Sequence, residues 1–170
     1  MTTAGRFPRV LFAVAEAYPF LKVGGLADVG GALPSLDVTL VLPHHPTMPE
    51  GAPVASLFVR MGRRAVPVRV CSLGRHAGVE VLTLGPLGPD LRDRPYAYQD
   101  EDVAAFILWS KAVVEFAATR PAVPDVIHCH DWHAGLVPHY APRGPPPAPP
   151  PCSRSTTPRT RARSHPSTDS

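Results

Sequence analysis

The sequence predicts an α/β fold with a doubly wound, mostly parallel sheet, and three observations carry that prediction. Apolar runs of strand length recur at Val10–Ala15, Asp37–Pro43 and Pro124–Cys129. Between them lie stretches of helical periodicity, and such alternation is the pattern of parallel strands joined by crossover helices. The first and last of these runs each hand over directly to a motif of unusual composition.

Taken in order, Val10–Ala15 is unbroken and apolar, and Glu16 ends it too early for a secretory leader, so it reads as a buried first strand. The loop Glu16–Gly25 leads to a helix in which Leu26, Val29 and Leu33 recur at helical spacing. Pro34 to Leu36 must close that helix and reverse the chain, which is tight against the roughly ten to twelve residues of a crossover. Asp37–Pro43 is β-branched, stops at proline and reads as the second buried strand. Val54–Arg60, Ala65–Cys71 and Val79–Leu84 are valine-rich and separated by Gly/Arg turns, so shorter, partly antiparallel strands are expected. Asp100–Thr119 is the longest helix, with Val103, Phe106, Ile107, Val113, Val114 and Phe116 on one face. Its first turn holds Asp100, Glu101 and Asp102, where the macrodipole favours acids. Pro124–Cys129 is a further strand, and Asp131–Tyr140 reads as the start of another helix.

Composition divides the chain unevenly. At 170 residues and 44% hydrophobic content it can bury one domain core. Seven of the 23 prolines fall between Pro142 and Pro151, and Cys152–Ser170 is rich in Ser, Thr and Arg with almost no large apolar side chain. The expected organisation is therefore a domain over 1–141 and a disordered tail over 142–170. The formal charge of +3 comes from the tail, which holds Arg143, Arg154, Arg159, Arg161 and Arg163. With no basic face in the domain, a nucleic-acid partner is not expected. Three cysteines in no framework spacing fit a reducing, cytoplasmic compartment, and no run approaches the length of a membrane span, so no membrane partner is expected either.

The motif after the first strand is Leu21-Lys22-Val23-Gly24-Gly25-Leu26-Ala27-Asp28. Without a Cβ, the diglycine lets a ligand approach the backbone, and a following helix start presents unpaired N–H groups with partial positive charge. Lys22 could add a full charge for a pyrophosphate, and Asp28 could accept hydrogen bonds from sugar hydroxyls. The two general phosphate-loop patterns are absent, and a tight glycine turn with a solvated lysine explains the same residues.

The motif after the last strand is His128-Cys129-His130-Asp131-Trp132-His133. Three readings fit it: a metal site, a structural histidine cluster, and a sugar-binding edge with Trp132 as apolar wall and Asp131 and His133 as hydrogen-bonding groups. In a strand His128 and His130 point to one face and Cys129 to the other, which counts against a metal. No serine sits in a nucleophile elbow, and Cys129 reads as inert packing.

With these residues in place, the chain resembles the bacterial glycogen synthases and plant starch synthases over about Pro8 to Tyr140. Lys22–Val29 is similar to their nucleotide-sugar loop, His130–His133 to their second signature, and Arg94-Pro95-Tyr96-Ala97-Tyr98-Gln99-Asp100 to the loop ahead of their long helix. The resemblance implies a Rossmann-like sheet forming the N-terminal half of a two-domain, GT-B type retaining glucosyltransferase. Its reaction would move glucose from ADP-glucose to the non-reducing end of an α-1,4-glucan, with no metal and no cofactor. It implies that Lys22, Gly24, Gly25 and Asp28 meet the donor, that Tyr98 and Trp132 border the sugar site, and that His133 and Asp131 are the catalytic candidates. In the family the cleft lies between two domains, and the second supplies further cations to the diphosphate. The fragment is therefore expected to be inactive alone, as a binding module for glucan or nucleotide sugar, or a truncated product without function.

Two departures stand out. The junction Pro34-Ser35-Leu36-Asp37 is shorter than in the family, which has a longer helix ending there. The segment Cys152–Ala162 stands where the family continues with a Phe-Thr-(Val/Ile)-His-Asn strand and a Tyr-Gln-Gly loop. Suitable codons for Cys152–Ala162, read one nucleotide out of phase, spell that continuation, so a frame shift within the proline-rich stretch is expected. Sequencing the locus decides this, and a nucleotide string that cannot encode the alternative rules it out.

Overall fold

The computed structural model describes residues 7–31, 37–87 and 100–142. Six strands form one mixed sheet in the order β3-β4-β5-β2-β1-β6: β1 Val10–Ala13, β2 Val38–Pro43, β3 Ala52–Met61, β4 Arg64–His76, β5 Val79–Gly85 and β6 Val126–Cys129. β1 pairs in parallel with both β2 and β6, and β2 pairs in parallel with β5. The β3-β4-β5 portion is antiparallel. The expected mostly parallel sheet with an antiparallel section is thus present, and the hairpin strands run longer than their valine-rich centres suggested.

Burial on both faces explains the apolar first strand. Leu11, Ala13 and Ala15 join one core cluster while Phe12 and Val14 join the other, because successive side chains leave opposite sides of a strand. The first cluster packs under α2, Asp100–Thr119, through Phe106, Trp109, Val113 and Phe116 against Val41, Leu82 and Leu84. The second collects Leu40, Leu42, Met48 and Val81 beside the short helix α1, Leu26–Gly31. An Arg9–Asp125 pair ties the N-terminal ends of β1 and β6: the Arg9 amide donates to the Asp125 carboxylate at 2.8 Å and the guanidinium at 3.4 Å.

Two local expectations are corrected. Val103 is 51% exposed, because the buried stripe of α2 runs through Asp102, Phe106, Trp109, Val113 and Phe116 at alternating steps of four and three residues. Asp131–Tyr140 is not one helix. It is a single 3-10 turn over Trp132–Ala134 followed by a four-residue helix, α3 Val137–Tyr140, in which Pro138 occupies one of the first two positions. Tyr98, the short 34–36 junction and the tail from 143 onward lie outside the described residues.

Trp109 is fully buried between α2 and the sheet. Trp109→Ala is expected to lower stability by about 3–5 kcal/mol, the usual cost of emptying a large aromatic site. A urea titration of both proteins measures it.

Candidate functional site

Parallel strands end on the same side, so β1 and β6 deliver their following loops to one edge of the sheet. The two motifs follow those two strands, which are direct neighbours with Ala13 opposite Cys129. The join continues past the strands, where the His130 amide donates to the Ala13 carbonyl at 2.9 Å. The Lys-Gly-Gly loop and the His-Asp-Trp-His turn therefore leave the sheet side by side.

In the first loop the amides are not all open. Glu16, only 2% exposed, turns its carboxylate back on the loop and accepts from the Val23 amide at 2.5 Å and the Gly24 amide at 2.9 Å. Lys22 donates to Asp28 at 2.6 Å, and both side chains are at least half exposed. Asp28 thus holds the lysine ammonium. Gly24 and Gly25 are exposed, and a Cβ built on either meets no atom within 4 Å. Neither has a positive φ. The glycines are not demanded by the described fold, and their effect is to leave bare backbone facing outward.

In the second loop Asp131 has φ 65° and ψ 177°, a conformation close to glycine-only, and its carboxylate accepts from the Trp132 amide at 2.6 Å. That cap starts the 3-10 turn and directs the next two side chains. Trp132 remains 45% exposed as an apolar surface. His133 is 3% exposed, with its ring 4.0 Å from Trp132 and 4.7 Å from Phe106 between centroids. Burial pushes its pKa below the usual histidine value, while the carboxylates of Asp131, Glu16 and Asp102 act in the opposite direction. Glu16 thus holds the first motif by hydrogen bonds, and its charge favours the protonated form of His133 in the second.

His128 and His130 lie on one face as their spacing requires, with rings 11° from parallel and 6.2 Å apart, both against Phe12. Cys129 points to the opposite, α2 side, and burial raises its thiol pKa, which fits packing rather than reactivity. Among the described residues, no three His, Cys, Asp or Glu side chains gather to hold a metal ion. A cavity of about 210 Å³ is lined by His44, Glu50, Arg69, Cys71 and Thr83, at the β2, β4 and β5 end of the sheet, and takes no residue of either motif.

The sequence-derived candidates thus fall into two groups, each in the segment that follows one of two neighbouring strands: Lys22, Gly24, Gly25 and Asp28 after β1, and Asp131, Trp132 and His133 after β6. Tyr98 falls outside the described residues. Sequence reading missed Glu16 and Asp102 as members of the site. A lone acid directly after an apolar strand was the available signal for Glu16.

A profile described as the starch synthase catalytic domain matches residues 9–147. The chain belongs to that family. Its sequence is 41% identical over 141 residues to the glycogen synthases of Geobacillus thermodenitrificans and Geobacillus stearothermophilus, and 36% identical over 143 residues to that of Anoxybacillus flavithermus. Each match covers 76% of this chain and 29% of the relative, so the chain spans less than a third of the length of these starch synthase family members. The catalytic domain of Starch Synthase IV from Arabidopsis thaliana, solved with ADP and acarbose bound, superposes with a TM-score of 0.65 at 24% identity, covering 78% of this chain and 29% of that one. The fold is accordingly the Rossmann-like N-terminal half of the GT-B type. No helix among the described residues is long and apolar enough to cross a membrane.

Since folding depresses the His133 pKa, the unfolded chain binds that proton more readily. The contribution of a neutral His133 to stability is intact above about pH 6.5 and is lost as pH falls from there toward the lower folded value. Urea midpoints measured from pH 7.5 to 5 are expected to fall, and to fall less steeply in His133→Gln. Parallel profiles remove His133 as the cause.

Proposed function

We propose that this chain is the donor-side half of a retaining glucosyltransferase site that takes glucose from ADP-glucose and passes it to the non-reducing end of an α-1,4-glucan. The observation that carries the reading is that the two motifs follow adjacent parallel strands, whose ends are joined by the His130–Ala13 hydrogen bond. Family membership and the bound ligands of the Arabidopsis enzyme support the chemistry.

The roles follow from the residues. Lys22 carries its ammonium in the same loop as the bare Gly24–Gly25 backbone, which a diphosphate can approach without meeting a side chain. Binding transfers the lysine, wholly or in part, from Asp28 to phosphate and frees Asp28 for a sugar hydroxyl. Trp132 offers an apolar face to the hexose, and neutral His133 and Asp131 offer hydrogen-bonding groups at its rim. Tyr98 completes the sugar side by resemblance.

Breaking the glucosyl–phosphate bond leaves charge on the departing diphosphate, and stabilising such charge is often the largest catalytic contribution. Lys22 supplies one cation and shares it with Asp28. We therefore expect this chain by itself to bind nucleotide sugar and glucan with little or no transfer, in the compartment where ADP-glucose is made, the cytoplasm.

The test measures ADP-glucose binding by calorimetry and glucose transfer to glycogen. Lys22→Ala is expected to weaken ADP-glucose binding at least about tenfold while changing stability by no more than about 1 kcal/mol, because the Lys22–Asp28 pair is exposed. Unchanged binding refutes the lysine's role. Transfer at ordinary enzymatic rates would overturn the view that this half is insufficient, and glycogen retention without donor turnover supports the binding-only behaviour.

A further inference from the structure

Glu16 holds the first motif by hydrogen bonds and acts on His133 of the second through its charge. It lies three residues past β1, is buried, and spends one carboxylate oxygen on the consecutive amides of Val23 and Gly24. A buried carboxylate is costly unless hydrogen bonds satisfy it, and two charge-assisted N–H donors at 2.5 and 2.9 Å do so. The bond is mutual: the exposed, glycine-bearing run Lys22–Gly25 is fixed at its middle to a buried carboxylate next to the core strand. The charge of Glu16 also favours the protonated form of His133, as do those of Asp131 from the turn and Asp102 from α2, against the larger effect of burial.

We propose that Glu16 is the positioning residue of the site, tying the Lys22–Gly25 backbone to the chain just past β1 so that lysine and bare glycine backbone keep one fixed geometry. The tie has a corollary for recognition. The Val23 and Gly24 amides are taken by Glu16, so they are not offered to a bound anion, and Lys22 is the group of this loop that meets one. That the tie serves nucleotide-sugar binding rests on the reading given above.

The experiment follows backbone amide signals of the full chain by NMR and ADP-glucose binding by calorimetry, in wild type, Glu16→Gln and Glu16→Ala. In wild type the Val23 and Gly24 amide protons are expected to be shifted downfield, protected from exchange, and to move together with one midpoint as pH falls through the carboxylate range. Glu16→Gln keeps the shape and one acceptor oxygen but loses the charge. It should abolish that common midpoint, move the His133 ring titration to lower pH because a favourable carboxylate is gone, and leave the unfolding midpoint nearly unchanged. A role in packing alone would leave Gln equal to Glu in every one of these readouts.

ADP-glucose binding should weaken in the order Glu, Gln, Ala, by about tenfold for Gln, equivalent to about 1.4 kcal/mol. The pH titration of wild type alone keeps the test decisive if Glu16→Ala does not fold. Amide signals indifferent to Glu16 overturn the proposal, as does equal ADP-glucose affinity in wild type and Glu16→Gln. If the amides respond as expected while wild type binds no ADP-glucose, the tie stands and the nucleotide-sugar reading falls.

Discussion

The parallel pairing of β1 with β6 is the constraint on which the site depends. Ala13 opposite Cys129 sets where each strand ends, and the His130–Ala13 bond extends the pairing one residue further. A slip of one residue would turn His128 and His130 to the α2 side and Cys129 to the opposite face, since side chains alternate along a strand. The packing that prevents the slip is distributed along β1, whose Leu11 and Phe12 are buried in different clusters on opposite faces. Core formation and site formation are here the same event.

Electrostatics divide the edge into a dry inner part and a wet outer part. Glu16, Asp102 and His133 are all buried, and the histidine is held neutral by desolvation despite three acids that favour its charged form. Lys22, Asp28 and Trp132 face solvent. The Glu16 carboxylate accepts from two loop amides inside, whereas Lys22 and Asp28 pair with each other at the surface. An exposed Lys–Asp pair contributes little to stability, so its partners can be exchanged at small cost. That makes it suited to a ligand that brings its own negative charge.

Much of this could be read from the residues, and the exceptions have physical reasons. β1, β2 and β6 are legible because burial on two faces demands an unbroken apolar run, and α2 because twenty residues give its period time to repeat. Val103 was misassigned because the apolar count hides a phase: the stripe runs through Asp102, an acid that composition places in solvent. The turn at Trp132 was read as helix because nothing in Asp131 announces a positive φ, a conformation that tertiary packing imposes. The two motifs were legible as motifs, but their proximity was not, since it depends on strand order. Glu16 escaped for a related reason. Its partners are amides, which carry no sequence signature.

The strained and buried features of the edge share one direction. Asp131 is held at φ 65°, an unfavourable conformation of order 1–3 kcal/mol, and Glu16 is buried as a carboxylate facing backbone. Both costs are met by the folded, ligand-free chain, through core contacts such as Phe106 on His133 and through the loop amides. A loop left free to sample conformations would instead be ordered only on binding, at the expense of affinity. Gly24 and Gly25 fit the same logic from the other side: the described neighbours would tolerate a side chain at both positions, yet neither carries one. Rigidity where the chain meets itself, and bare backbone where it meets solvent, is the combination expected of a surface prepared for something that docks from outside the chain.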